Sequence, residues 1–265
     1  MAAAAETESP SPKIFIPNEW STAADVIACG SVSFPIAFVC GPKNSGKTTF
    51  SRHLVNVLLQ RRKRVAFLDT DVGQTEFTPP GLLALTVIDK ITPDLTIPCV
   101  KTPARCFFFG DISSKRDPTT YLTYIKALYD HYMETEIQGA GLPLVINTPG
   151  WVKVTVPDGP FWLDEGDADA ATTIIEINAP PQNHLTSMAP MRKDARLQRD
   201  LRLMAYFKQC FPSDTIISTI KELSHALASH PPYEIPMSSI TIKHLHCQVP
   251  GCIAPYLSTI VLSTN

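Results

Sequence analysis

Gly41, Gly46, Lys47 and Thr48 stand in the spacing G-x-x-x-x-G-K-[ST], the pattern of a phosphate-binding loop. Its glycines let backbone N–H groups turn inward around an anion, and the helix that follows points its positive end at the same place. In such a loop Lys47 would bridge the β- and γ-phosphates of a nucleoside triphosphate, and the Thr48 hydroxyl would sit on Mg²⁺. Gly41, Pro42, Lys43, Asn44, Ser45, Gly46, Lys47, Thr48 and Thr49 are the expected nucleotide contacts, with ATP and Mg²⁺ as cofactors.

A second set of chemical groups lies in "LDTDVGQ". Asp69 and Asp71 are two residues apart at the end of an apolar run, so on a strand end both carboxylates can face the loop. In P-loop enzymes one acid here binds the water shell of the metal, and a second can take a proton from an attacking hydroxyl. Gln74 is placed to orient a water or a phosphate oxygen. The motif of GTPases that reads the base, N-K-x-D, does not occur in the chain, nor does the L-S-G-G-Q of transporter ATPases. "NTPG", Asn147 to Gly150, has the outline of the GTPase D-x-P-G switch with asparagine in place of aspartate.

These groups need a scaffold to hold them together. "IAFVC" (36–40) is short, apolar and ended by glycine, as a buried strand is. From Lys47 to about Arg61, Phe50, Leu54, Val57 and Leu58 recur at helical spacing. "RVAFLDTD", "ARCFFFGD" and "PLVINT" read as further strands. Asp117 caps a helix with Pro118 at its first position and Tyr121, Ile125, Leu128 and Tyr132 as its inner stripe. Strands alternating with helices imply an α/β fold, a P-loop NTPase-type parallel sheet with helices on both faces. Beyond Trp151 the pattern loosens. "TTIIEIN" reads as a strand, 195–210 as an arginine-rich helix, 214–228 as a helix, and 238–248 and 256–262 as β-prone parts of a partial C-terminal region.

The 265 residues, 44% hydrophobic and 18% charged, suit a globular protein, and the net charge of −2 gives no global attraction to nucleic acid. Any such binding must come from a local patch. No run reaches the length of a membrane span, so no membrane partner is expected. The seven cysteines are odd in number and scattered, as reduced thiols of a cytosolic or nuclear protein are. "QRRKR" (60–64) reads as helix-terminal cations favoured by the dipole. "HLHCQVPGC" fits no usual zinc spacing.

"GPKNSGKTT", "FLDTDVGQTEFTPPG", "FFFGDIS" with "DPTTYL", and "INTPGW" together resemble the RNA 5′-hydroxyl polynucleotide kinases. The resemblance is strongest to their nucleolar, plant-like branch, which works in ribosomal-RNA processing. It covers about residues 30–152 and resumes from about 157. It implies transfer of the γ-phosphate of ATP to the 5′-hydroxyl of RNA, with Asp71 as general base and Asp69 beside Thr48 on the metal. It further implies a clasp of Thr148, Gly150 and Trp151 on the acceptor, and an arginine-bearing lid in "RKDARLQRDLRLMAYF". There Arg192, Arg196 and Arg199 share a helical face, Arg199 is the first choice for stabilising transition-state charge and Arg196 the second. An endoribonuclease partner and a nuclear, nucleolar location are also implied.

The expected domains are a flexible tail over 1–30, a kinase domain over 31–212 with its lid near 190–210, and a partial C-terminal domain over 213–265. Family members carry a helix and a strand that are missing here near 153–157, as in a shortened isoform, so "TTIIEIN" either fills the vacant place or leaves a smaller sheet. Two other functions fit a P-loop: a nucleotide-holding scaffold of an RNA-processing complex with little turnover, and a GTPase or ATPase assembly factor.

Overall fold

A computed structural model describes residues 16–30, 34–92, 99–137, 141–150, 172–178, 194–231, 234, 236, 240–245 and 257–262. The chain divides into two compact units, Met1–Ile220 and Lys221–Asn265.

The first unit is built on a six-stranded sheet in the order β4-β3-β2-β5-β1-β6. Its strands are β1 (Ile36–Cys40), β2 (Val65–Asp69), β3 (Leu82–Ile88), β4 (Arg105–Phe108), β5 (Leu144–Asn147) and β6 (Thr172–Glu176). Side chains alternate across each strand and divide the core between the two faces. Ile36, Phe38, Ala66, Leu68, Leu144 and Ile146 pack against Tyr121, Ile125, Leu128, Tyr129 and Tyr132 of α3 (Pro118–Tyr132). Ala37, Val39, Val65, Phe67 and Val145 face Phe50, Leu54, Val57 and Leu58 of α2 (Lys47–Leu59). The sheet therefore carries helices on both faces, as expected. The Asp117 carboxylate accepts from Thr120 N at 3.0 Å, which caps α3 as its sequence implies.

Two expectations are refined, and one strand is added. The sheet is not wholly parallel: β2, β5, β1 and β6 run together, whereas β3 is antiparallel to both β2 and β4. No helix stands between β2 and β3 or between β3 and β4 among the described residues, and a parallel pair needs such a crossover. β3 itself, "LLALTVI", was not read as a strand. Finally, residues 1–30 are not all tail. α1 (Asn18–Cys29) packs Ala24 and Ile27 into the core beneath α2, and Trp20 meets Phe50 edge-on at 5.6 Å.

"TTIIEIN" takes the place beside β1, in register from Ile36↔Thr172 to Cys40↔Glu176. As the sheet's edge it is thinly covered, with Ile174 40% exposed. The missing helix–strand segment near 153–157 lies outside the described residues. α4 (Ala195–Lys208) follows in the same unit, and Ile217 is still buried there, which carries the division past the expected break at 212. The second unit holds most of α5 (Ile220–Ser229) and an antiparallel pair, β7 (Ile240–Leu245) with β8 (Leu257–Leu262). His246, Cys247 and Cys252 lie outside the described residues. No helix among the described residues is long and apolar enough to cross a membrane.

Candidate active site

The carboxyl ends of β1, β5 and β2 lie side by side, with Val39, Asn147 and Asp69 in register. Adjacent strands are about 4.8 Å apart, so the loop after β1 and the acids after β2 stand roughly 10 Å apart with Asn147 between them. Ligands of open α/β sheets bind at such an edge.

The loop has the shape its sequence requires. Gly46 precedes α2 with φ +97°, and a Cβ there would stand 2.5 Å from the Trp20 ring. Asn44 (φ +63°) also turns left-handed, as a chain wrapping its amides around an anion does. The Ser45 hydroxyl is buried with no hydrogen-bond partner, an orphan donor that a phosphate oxygen would satisfy. Lys47 is buried and donates from Nζ to the Pro42 carbonyl at 2.8 Å. Burial lowers its pKa, and the Asp71 carboxylate pulls in the opposite direction, so the two charges sense one another.

Asp69 is almost wholly buried. It accepts from Glu76 N at 2.6 Å, Asp71 N at 3.2 Å and Asn147 Nδ2 at 3.2 Å. The donors are all uncharged, so its negative charge is held but not neutralised. Burial pushes its carboxyl up to about 7, with Asp71 adding to the rise and the Glu76 N–H opposing it. The folded pKa is above the unfolded one, near 3.9, so the folded state binds this proton more tightly. That contribution is fully present below about pH 4 and is lost as pH rises through about 7. Without ligands, wild type should therefore lose more stability than Asp69→Asn between about pH 4 and 8, on the order of a few kcal/mol. Urea midpoints across that range measure it, and equal slopes would contradict the assignment.

Asp71 is half-buried, and its Oδ1 accepts from Gly73 N and Gln74 N, each at 3.0 Å. The turn itself fixes the carboxylate. The contacts of Gln74 here are made by its backbone, which also bonds Asp71 O at 3.2 Å. Thr70 anchors the same segment to β5 through two bonds to Asn147 O, and Tyr121 of α3 donates to Thr70 O at 2.9 Å.

Sequence reasoning missed several residues that matter. Asn147 donates to Asp69 and accepts from Ser51 Oγ of α2 at 3.4 Å, so it bridges the loop helix and the buried acid. An aspartate at this position would set two carboxylates against each other. The D-x-P-G outline was its only signal. Glu76 forms ion pairs at 2.9 Å with both Arg52 of α2 and Arg202 of α4. Thus Arg202 anchors the arginine-rich helix, whereas Arg196 is exposed and Arg199 half-buried. Arg192 lies outside the described residues.

The clasp needs a correction too. Thr148 is fully buried and donates to Val39 O at 2.8 Å, so its hydroxyl joins strand ends rather than facing an acceptor. At Gly150 a Cβ would stand 2.6 Å from Lys43 Cα, which explains a glycine pressed against the phosphate loop. Trp151 lies outside the described residues.

Residues 41–156 match the family model described as the mRNA cleavage and polyadenylation factor CLP1 P-loop. The polynucleotide 5′-hydroxyl-kinase NOL9 of Arabidopsis thaliana is 52% identical over 89% of this chain and 73% of its own length. The chain belongs to the polynucleotide 5′-hydroxyl-kinase family. Among other members, grc3 of Schizosaccharomyces pombe is 32% identical over 63% of the chain, and NOL9 of Homo sapiens 35% over 48%. Those matches span 22% and 17% of the relatives' own lengths. The kinase-family fold is also that of Clp1p in a solved complex with Pcf11p, with TM-score 0.52, 15% identity, and coverage of 76% of this chain and 55% of that one. A second Clp1p structure, solved to explain ATP loss in a glycine-to-arginine mutant, gives TM-score 0.53 at 16% identity over 76% of this chain and 56% of that one.

Proposed function

We infer that this chain is an ATP-dependent polynucleotide 5′-hydroxyl kinase that phosphorylates the 5′ end of RNA in ribosomal-RNA processing. One observation supports the reading above the others: a phosphate loop with an orphan buried hydroxyl faces a turn-locked carboxylate, Asp71, across one sheet edge. The acceptor 5′-oxygen attacks the γ-phosphorus of ATP as the bond from that phosphorus to the β–γ bridging oxygen breaks, and ADP leaves. Oδ1 of Asp71 is already held by two N–H groups, so Oδ2 is the oxygen that orients the hydroxyl and accepts its proton late in the transfer.

Gly41 to Thr49 hold the triphosphate, and Lys47 leaves the Pro42 carbonyl for the phosphates once they arrive. The Thr48 hydroxyl and Asp69 would hold a Mg²⁺ ion, which takes oxygen ligands and keeps several waters; Asp69 suits it as a buried carboxylate whose donors, Glu76 N, Asp71 N and Asn147 Nδ2, are uncharged. When bound, it would offset charge on the β- and γ-phosphate oxygens. Arg199, and after it Arg196, are assigned to the transferring phosphoryl group, carried by the helix that Arg202 docks. Gln74, Gly150 and Trp151 are assigned to the acceptor, and Thr148 to the support of their strand ends. The transfer chemistry belongs to residues 31–212, with a lid at 190–210. An endoribonuclease that leaves 5′-hydroxyl ends would supply the acceptor, in the nucleus and specifically the nucleolus.

Incubation of the full chain with γ-labelled ATP and a 5′-hydroxyl oligoribonucleotide should label the oligonucleotide. Nucleotide binding with no labelled product would favour the scaffold reading. Release of inorganic phosphate without an acceptor, or a preference for GTP, would favour an assembly factor.

A further inference from the structure

Phe108 ends β4 with 73% of its surface exposed, an unusual place for a large aromatic on an edge strand. A Cβ added at Gly110 would stand 3.4 Å from Phe108 Cε1, and one at Gly81 3.7 Å from its Cε2, so the ring rests on a floor of two glycines. Phe108 and the two glycines line a cleft of about 340 Å³ together with Pro80, Asp111 and Ile112.

The cleft adjoins the candidate catalytic turn. β4 is antiparallel to β3, which is antiparallel to β2, so the carboxyl ends of β4 and β2 share one sheet edge. Gly81 N donates to Val72 O at 2.8 Å, and Phe109 N donates to Gly81 O at 2.8 Å. A Cβ at Gly73 would fall 2.7 Å from Ile112 O. The floor under Phe108 is thus bonded to the residue next to Asp71. The one acid in the cleft's lining, Asp111, is paired with the exposed Arg116 at 3.0 Å, so its charge is offset. An exposed aromatic bonded through its glycine floor to the turn that carries Asp71 suits a stacked base of the acceptor strand, and does so without sequence preference.

We propose that Phe108 is a base-stacking platform for the acceptor strand, holding a nucleobase downstream of the 5′-hydroxyl that Asp71 orients. The inference rests on the kinase reading for its acceptor, and its test separates the two. Phosphorylation is compared for a 5′-hydroxyl tetraribonucleotide and a nucleoside 3′-phosphate, in wild type, Phe108→Ala and Phe108→Trp. Anisotropy with a labelled 5′-phosphorylated tetramer, which cannot accept phosphate, reads binding without catalysis.

Phe108→Ala should lower kcat/KM for the tetramer by about 5–150-fold, the range of one lost stacked base, and weaken the labelled tetramer's binding similarly. The nucleoside 3′-phosphate should change by less than about twofold, and Phe108→Trp should restore the tetramer. Equal losses on both acceptors, or tetramer binding within twofold of wild type, would overturn the platform. Should wild type label no acceptor, the kinase reading fails, and the anisotropy comparison still decides the platform.

Discussion

Asp71→Asn is expected to lower kcat for acceptor phosphorylation by about 10²–10⁴-fold, the usual share of a positioned proton acceptor, while ATP binding stays within about twofold. The reason is local. The asparagine carbonyl oxygen can take the place of Oδ1 and keep the bonds from Gly73 N and Gln74 N. The turn survives, and what disappears is an anionic oxygen able to receive the acceptor's proton. In the proposed mechanism that same oxygen aims the acceptor, so KM for the oligonucleotide should rise as well. Single-turnover rates with ATP in excess separate this loss from slow product release. A variant that fails to bind ATP would instead point to collapse of the phosphate loop.

Glu76→Ala is expected to destabilise the first unit by about 3–5 kcal/mol, the penalty for stripping a buried ion pair of one partner. Glu76 has 2% of its side chain exposed, and Arg52 and Arg202 have 4% and 10%. Removing the carboxylate leaves two guanidinium groups facing each other out of water. The bond from Glu76 N to Asp69 is a backbone one, so the buried acid keeps its support only while the segment holds its course. Glu76→Gln, with the same shape and no charge, should lie between alanine and wild type. Arg202→Ala removes the ion pair of α4 alone and should depress kcat more than ATP binding, since the arginines above it on the helix lose their footing. Urea denaturation checks the stability order, and an unchanged midpoint for Glu76→Ala would exclude a structural role for the cluster.

Much of this site was legible in the sequence because its parts are local. A phosphate loop is set by residues within one turn of chain, and Asp69 and Asp71 by alternation on a single strand. The cap and inner stripe of α3 follow the same logic. α1 was legible but overlooked: Trp20, Ala24 and Ile27 recur at helical spacing, obscured by the polar, proline-rich run before them. β3 is buried over most of its length, so its residues lack the alternation that marks a half-exposed strand. Its direction follows from the connection to β2, residues 70–81, which is too rich in turn residues to hold a crossover helix.

The rest depends on partners distant in sequence. Glu76 meets Arg202 across 126 positions, and Thr148 meets Val39 across 109. No spacing rule distinguishes a buried arginine from its exposed neighbours on an arginine-rich helix, so the anchor of α4 is visible only in three dimensions. Asn147 is similar. Its sequence context suggested a degraded switch, whereas its amide joins the loop helix to the buried aspartate.

The most direct measurement is transfer of label from γ-labelled ATP to a 5′-hydroxyl oligoribonucleotide, run in parallel on wild type, Lys47→Ala and Asp71→Asn with circular dichroism to confirm folding. The predicted result is labelled oligonucleotide from wild type and a loss of about two orders of magnitude or more in each variant, as expected when charge stabilisation or proton acceptance is removed. Full activity in folded Lys47→Ala or Asp71→Asn protein would contradict the assignment of transfer chemistry to this sheet edge.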